Sequence, residues 1–232
     1  MKKYLILGCA LILVSCIWSV QLTYKISSLG LKVADLSINL GNNNIHIHAE
    51  NTTKNLVFPH INNHYYISFD DYSKPLSYLR IIHQDSLKDS VMVSYAKADS
   101  VEMWQKSING KLTYPAATPT RDVFSLLFYL TKHNAAGEYI LDGNGIPWKA
   151  IVQNQGQEIT RTSLGKFSTT KYQITFQRQT NTKTPYIDML THNILSEDSA
   201  LTLYVSADGI PIKATIKKNK LGMTWDLLSV KK

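Results

Sequence analysis

Cysteine is nearly absent from this 232-residue chain. Cys9 and Cys16 are the two, and nothing after Cys16 carries a thiol. A mature domain that starts there holds no internal disulfide, even in a compartment that permits one. Arginine is also scarce. Among 25 basic residues only Arg80, Arg121, Arg161 and Arg178 are arginines, and the lysines are scattered. Readers of base edges favour the bidentate guanidinium, so the composition argues against a nucleic-acid partner. The net charge of +8 then reads as a solvated Lys-rich surface, with weak attraction to anionic lipid or polysaccharide as a secondary property. The sequence also lacks internal repeats, low-complexity tracts, a nucleophile elbow, a P-loop and a dinucleotide fingerprint. With 44% hydrophobic residues it does not lack core-forming material, which excludes a disordered chain and suits a single domain.

The N-terminus carries the clearest signal. In MKKYLILGCALILVSC, Lys2 and Lys3 form a positive flank and Tyr4–Val14 an apolar run of 11 residues. That length fits an export leader and falls short of the ~20 residues of a membrane span. Extending the run through Ile17, Trp18 and Val20 gives an uncleaved anchor as the alternative. Leu13-Val14-Ser15-Cys16 resembles a bacterial lipobox: a branched apolar residue, a variable one, a small one, then cysteine. In proteins with that pattern the leader is cut just before the cysteine, whose sulfur carries a diacylglycerol. Cys9 is then a small apolar residue of the leader. Removing Lys2 and Lys3 lowers the net charge from +8 to +6. The expected organisation is a leader over 1–15, acylated Cys16 with a short tether over 16–20, and one β-rich domain over 21–232.

Period-two alternation dominates the chain beyond the leader. VQLTYKIS, LKVADLSINL, IHIHAENT, HYYISFDD, PLSYLRIIHQD, SVMVSYAKA and SVEMWQKS read as half-buried strands separated by turns, the pattern of an antiparallel meander. GEYILDGNGIPWKAIV reads as a hairpin across Gly143-Asn144, and Asp208-Gly209 is the strongest hairpin signal in the chain. One helix stands out, Asp122 to His133, with Asp122 as N-cap and apolar residues around nearly its whole circumference. Such a helix demands burial, and the concave face of a curved sheet is where it fits. The expected fold is mainly β: a curved antiparallel sheet or open β-barrel-like fold wrapped around one buried helix. Thr180 to Asp198 has poor periodicity and reads as a long loop.

Candidate chemistry is thin. His46 and His48 share one face of a strand, but zinc needs a third protein ligand and Glu50 is the sole carboxylate in register, so no metal site is assigned. Asp70 and Asp71 point to opposite faces of a strand and make a poor acid/base pair. His83, Asp85 and Ser86 lie too close in sequence for triad geometry. No catalytic residue and no cofactor are assigned. Aromatic residues are the suggestive feature. If the sheet is curved but unsealed, Phe124, Leu127 and Phe128 of the helix with Trp104, Trp148 and Trp225 of the strands would line an apolar cleft, the default location for a ligand.

Several segments occur in one order: LTYKISSLGLKVAD, SFDDYSKPLSYLRI, PTRDVFSLLFYL, LGKFSTTKYQI, LTLYVSADGIPIKATI and LGMTWDLLSV. Together they resemble the bacterial exported family named domain of unknown function 3108, over about Val20 to Val230. Ala34 departs from the pattern, which has a second glycine there. The resemblance implies a β-rich envelope protein of open biochemical role. The expected function is non-enzymatic binding or carriage of an apolar or amphipathic ligand by a lipid-anchored protein facing the periplasm, at the outer membrane. The alternatives are an envelope scaffold that binds other envelope proteins and, further behind, a hydrolase of cell-wall or polysaccharide substrates.

Overall fold

The computed structural model describes residues 20–232 except 52–57, 71–73, 98, 117–118, 184–185, 187 and 219–220. Eight strands come first: β1 (Val20–Ser28), β2 (Leu31–Leu40), β3 (Asn44–Glu50), β4 (Asn62–Phe69), β5 (Pro75–Gln84), β6 (Leu87–Ser94), β7 (Ser100–Gln105) and β8 (Gly110–Pro115). Helix α1 (Val123–Lys132) follows, then β9 (Gly137–Asp142), β10 (Pro147–Thr162), β11 (Gly165–Arg178), helix α2 (Met189–Ile194), β12 (Ser199–Ser206), β13 (Pro211–Lys218) and β14 (Leu221–Lys231). All the strands belong to one antiparallel sheet in the order β8-β7-β6-β5-β4-β3-β2-β1-β14-β13-β12-β11-β10-β9. The two ends of the chain therefore meet in the middle, where β1 pairs with β14, and the two free edges flank the helix in sequence.

The fold class matches the sequence reading: a mainly β, open, barrel-like sheet with α1 inside it. Alternation makes the inner face. In β1, Leu22, Tyr24 and Ile26 are buried while Lys25 is exposed, and the same phase recurs in β3 with Ile45, Ile47 and Ala49. Each large apolar side chain of this kind contributes about 1.5–3 kcal/mol on burial. The helix is held from both halves of the sheet. The Phe124 ring lies 5.1 Å from that of Tyr65 on β4 and 6.4 Å from that of Trp225 on β14. The Asp122 side chain caps α1 by accepting from Ser125 N at 3.0 Å, and His133 closes it.

Three details differ from the sequence reading. The Gly143-Asn144 hairpin turns one residue later, with Asn144 and Gly145 at positive φ and a bond from Gly143 N to Ile146 O, the φ > 0 pair of a type I′ turn. Thr180 to Asp198 contains α2, capped by Asp188, whose six residues are too few for a helical period to stand out. GKLTYP forms β8, which pairs with β7 alone and buries only Tyr114, so alternation is barely expressed there. At the Asp208-Gly209 turn, glycine is required twice over. Its φ is +76°, and a Cβ would sit 2.8 Å from the Thr131 carbonyl at the end of α1.

Candidate functional site

Antiparallel alternation divides the turns between two rims. Val20, the β2–β3 turn, the β10–β11 turn, the β12–β13 turn and the C-terminus share one rim. At that rim a cavity of about 420 Å³ lies between the start of β1, the β2–β3 turn and the end of α1. Its walls are Val20, Leu40, Gly41, Asn42, Phe128, Thr131, Lys132 and Gly209. Phe128 also faces a second, inner pocket of about 30 Å³, enclosed by Tyr24, Ile38, Leu127, Leu203 and Trp225 among others. The two share the Phe128 ring as a common wall. The inner pocket has room for about one water-sized group, so the concave face is largely filled by α1. Tyr24 Oη donates to the Pro211 carbonyl at 2.7 Å and ties β1 to the start of β13 beside the pocket.

Of the residues expected to line a cleft, Phe124, Leu127, Phe128 and Trp225 come together around the inner pocket. Trp148 is buried but stands apart, packed under the β9–β10 turn, where a Cβ on Gly143 would strike its ring. Trp104 is a correction. Val101 and Met103 take the inward phase of β7, so Trp104 points to the convex face and is 37% exposed. There it lies in register with Met92, Leu79 and Tyr66 across β6, β5 and β4, in a partly exposed apolar row. Cys16 lies outside the described residues, as does Asp71.

His46 and His48 share the convex face as their spacing requires, and His64 of β4 joins them. The His48 and His64 rings stack at 4.2 Å, His46 stacks on Tyr66 at 4.4 Å, and His46 Nε2 is 3.1 Å from His64 Nδ1. His48 Nε2 pairs with Asn62 Oδ1 at 2.8 Å, and no cluster of three ligands poised for a metal occurs among the described residues. Partial burial, then mutual repulsion among the imidazoles, lowers the pKa of both His46 and His64. The Asp70 carboxylate accepts from Lys74 N at 3.2 Å.

Sequence reasoning missed a buried polar cluster on the inner face of the first half of the sheet. Arg80 on β5 is 1% exposed, donates to Asn144 Oδ1 and lies 5.1 Å from the Tyr78 ring. Tyr114 on β8 donates to Asp142 Oδ1 at 2.5 Å, and Gly145 N donates to the same oxygen at 3.0 Å. Tyr65 donates to Asp188 Oδ1 at 3.0 Å. Burial raises the Asp142 pKa against the pull of Arg80, and pushes Asp122 up to about 6. The signal was the phase of β5: Tyr78, Arg80 and Ile82 alternate with half-exposed residues, which places an arginine among core positions. None of these groups lines the rim cavity, whose sole ionisable residue is Lys132.

The geometry defines a class: an open, barrel-like antiparallel sheet closed over a central helix, with an apolar recess at one rim. Among solved structures the chain is similar to the β-barrel-like protein of domain of unknown function 1849 from Brucella abortus. The TM-score is 0.57 and the identity 10%, over 92% of this chain and 97% of that one. A protein from Bacteroides fragilis, whose name describes an exported protein with a YmcC-like fold, overlays at TM-score 0.32 and 12% identity, over 92% and 95%, too loosely to carry an argument. The first likeness shows the fold. No family model and no curated protein matches the sequence. No helix among the described residues is long and apolar enough to cross a membrane.

Proposed function

We propose that this protein is a non-enzymatic binding protein of the bacterial envelope that takes an apolar or amphipathic ligand into the rim recess beside Val20. The observation that carries the reading is the recess itself. Its ~420 Å³ falls within the range of small-molecule sites, about 300–1,000 Å³, and apolar residues form much of its wall. Lys132 stands at its edge, suited to an acidic headgroup, and Phe128 separates it from the inner apolar pocket. The recess also lies at the rim where the described chain begins, four residues after Cys16. A diacylglycerol on Cys16 would hold the mouth against a bilayer, stably so with more than one acyl chain. Export, lipid attachment at Cys16, placement at the outer membrane facing the periplasm and membership of the domain of unknown function 3108 family are parts of the same proposal, supported by the leader, the lipobox and the ordered motifs.

The test is extraction of lipid from natively purified protein with mass spectrometry, followed by titration with a fluorescent fatty acid. Bound amphiphile that Leu40→Trp displaces by filling the recess is the expected result. Absence of any ligand, with the fatty acid failing to bind wild type, would defeat the reading. A scaffold function is the second reading, favoured by the exposed row Tyr66, Leu79, Met92 and Trp104 and by the filled interior.

A further inference from the structure

The hairpin of β10 and β11 is longer than the sheet that carries it. β10 spans 16 residues but pairs with β9 only from Pro147 to Val152, and β11 leaves β12 at Thr169. Beyond that point Ile159–Thr162 and Gly165–Ser168 pair only with each other, as a two-stranded arm. A bulge between Asn154 and Gln157 bends the ribbon where it leaves the sheet. The inner face of this ribbon is held to the domain by Thr160, buried and hydrogen-bonded to Thr169 at 2.8 Å, and by Phe167, which packs against the core, so its outer face is what it offers to a partner. Arg161 stands directly opposite Lys166, both are exposed, and neither has an ion-pair partner among the described residues. Like charges facing each other across two strands destabilise the pairing. Ile159 and Leu164 flank this pair and are 61% and 46% exposed.

The arm lies at the rim that holds Val20, the recess and the C-terminal Lys231 and Lys232, with its Ile159, Arg161 and Lys166 side exposed. The segment preceding Val20, with its apolar run, joins the domain at this same rim. We infer that the β10–β11 arm docks on an anionic bilayer surface, with Arg161 and Lys166 sharing a lipid phosphate and Leu164 and Ile159 entering the headgroup–acyl boundary. An anion between the two cations converts their repulsion into a clasp. A basic, apolar-tipped element of this kind gains from both terms of interfacial binding, burial of apolar surface and attraction to anionic headgroups. The inference goes beyond the recess and does not require an acyl chain on Cys16.

Residues 20–232 contain the whole described core and no cysteine, so they can be produced without the leader. Leu164→Cys then supplies a single thiol for an environment-sensitive fluorophore, and Lys88→Cys supplies a control at the opposite rim. With phosphatidylcholine vesicles containing phosphatidylglycerol, the label at 164 should shift to the blue and be quenched by brominated acyl chains, while the label at 88 does neither. The response should vanish with pure phosphatidylcholine and weaken in high salt. Arg161→Glu with Lys166→Glu should lower vesicle affinity about tenfold or more at unchanged unfolding temperature. An unchanged label at 164, equal shifts at 164 and 88, or a shift produced by inorganic phosphate without vesicles would each overturn the inference. Loss of the recess ligand would leave these readouts untouched.

Discussion

Tyr114 and Asp142 join the two free edges of the sheet. Tyr114, on β8, donates to the carboxylate at the end of β9 over 2.5 Å, although no ladder connects those strands. Arg121 extends the closure. Its N–H donates to Ile140 O at 3.1 Å and its carbonyl accepts from Asp142 N at 2.7 Å, a short parallel bridge leading into α1. Among the described residues, the Tyr114 side chain and this stretch of backbone both bridge the seam that leaves the barrel open.

Tyr114→Phe should destabilise the domain by about 1–3 kcal/mol, because Asp142 loses a buried donor while keeping its burial. Thermal unfolding should fall by a few degrees. Hydrogen exchange should quicken first at Asp142 and Arg121, whose amides belong to the seam. Uniform exchange across the sheet, with no preference for these amides, would show that the seam opens only with global unfolding.

Arg80 supplies the positive charge for the same region. Its guanidinium faces Asn144, and the Asp142 and Asp188 carboxylates act on it. Arg80→Met keeps the length and removes the charge, which leaves buried carboxylates uncompensated. The expected cost is about 3–5 kcal/mol. Denaturant titration measures it. Unchanged stability would mean that the Asp142 carboxyl, whose pKa burial raises, is already held neutral in the folded state.

The sheet was legible in the sequence because half-buried strands repeat every two residues, and β2, Leu31–Leu40, matches the alternating segment end to end. The helix was legible because Asp122 and the apolar run of α1 both mark it. The recess was not, because its wall comes from four separated places, Val20, Leu40–Asn42, Phe128–Lys132 and Gly209, which only the pairing of β1 with β14 and the packing of α1 bring together. Trp104 misled for a related reason. An aromatic residue in an alternating strand favours neither face until the phase is fixed, and Val101 and Met103 fix it outward. The length of β10 was hidden because the alternation of PWKAIV stops at Val152, and the following Gln153–Ile159 is exposed on both faces and carries a bulge between Asn154 and Gln157.

Asp122 gives the protein a pH dependence of known sign. Burial raises its carboxyl to about 6 from 3.8 in the open chain. The folded state therefore holds the proton more tightly than the unfolded state. The resulting stabilisation is full below about pH 4 and is lost as pH rises through about 6, to the extent of about 3 kcal/mol. His46 and His64 act in the opposite sense. Their lowered pKa contributes stability above the unfolded value of 6.5, lost as pH falls through the folded value. Asp122→Asn isolates the first effect, since asparagine also caps helices. Denaturant midpoints from pH 4 to pH 7 should show the wild type losing stability relative to the variant with rising pH. Parallel curves would remove Asp122 as the titrating group.

Cys16→Ala addresses the proposed location, and its outcome bears on how the recess is reached. If Cys16 carries a diacylglycerol, the sulfur is the attachment atom and alanine offers none. The variant should accumulate with residues 1–15 still attached, and the intact mass of the membrane fraction should lack the lipid increment. The domain itself should fold as before, because Cys16 precedes β1 and the core begins at Leu22. Cleavage and release equal to wild type would show that the leader is removed without lipid attachment. In that case the rim bearing Val20 would meet a membrane through the β10–β11 arm and the apolar recess alone. Vesicle affinity would then depend on Arg161 and Lys166 as strongly in the full-length protein as in residues 20–232, whereas an acyl anchor would mask that dependence.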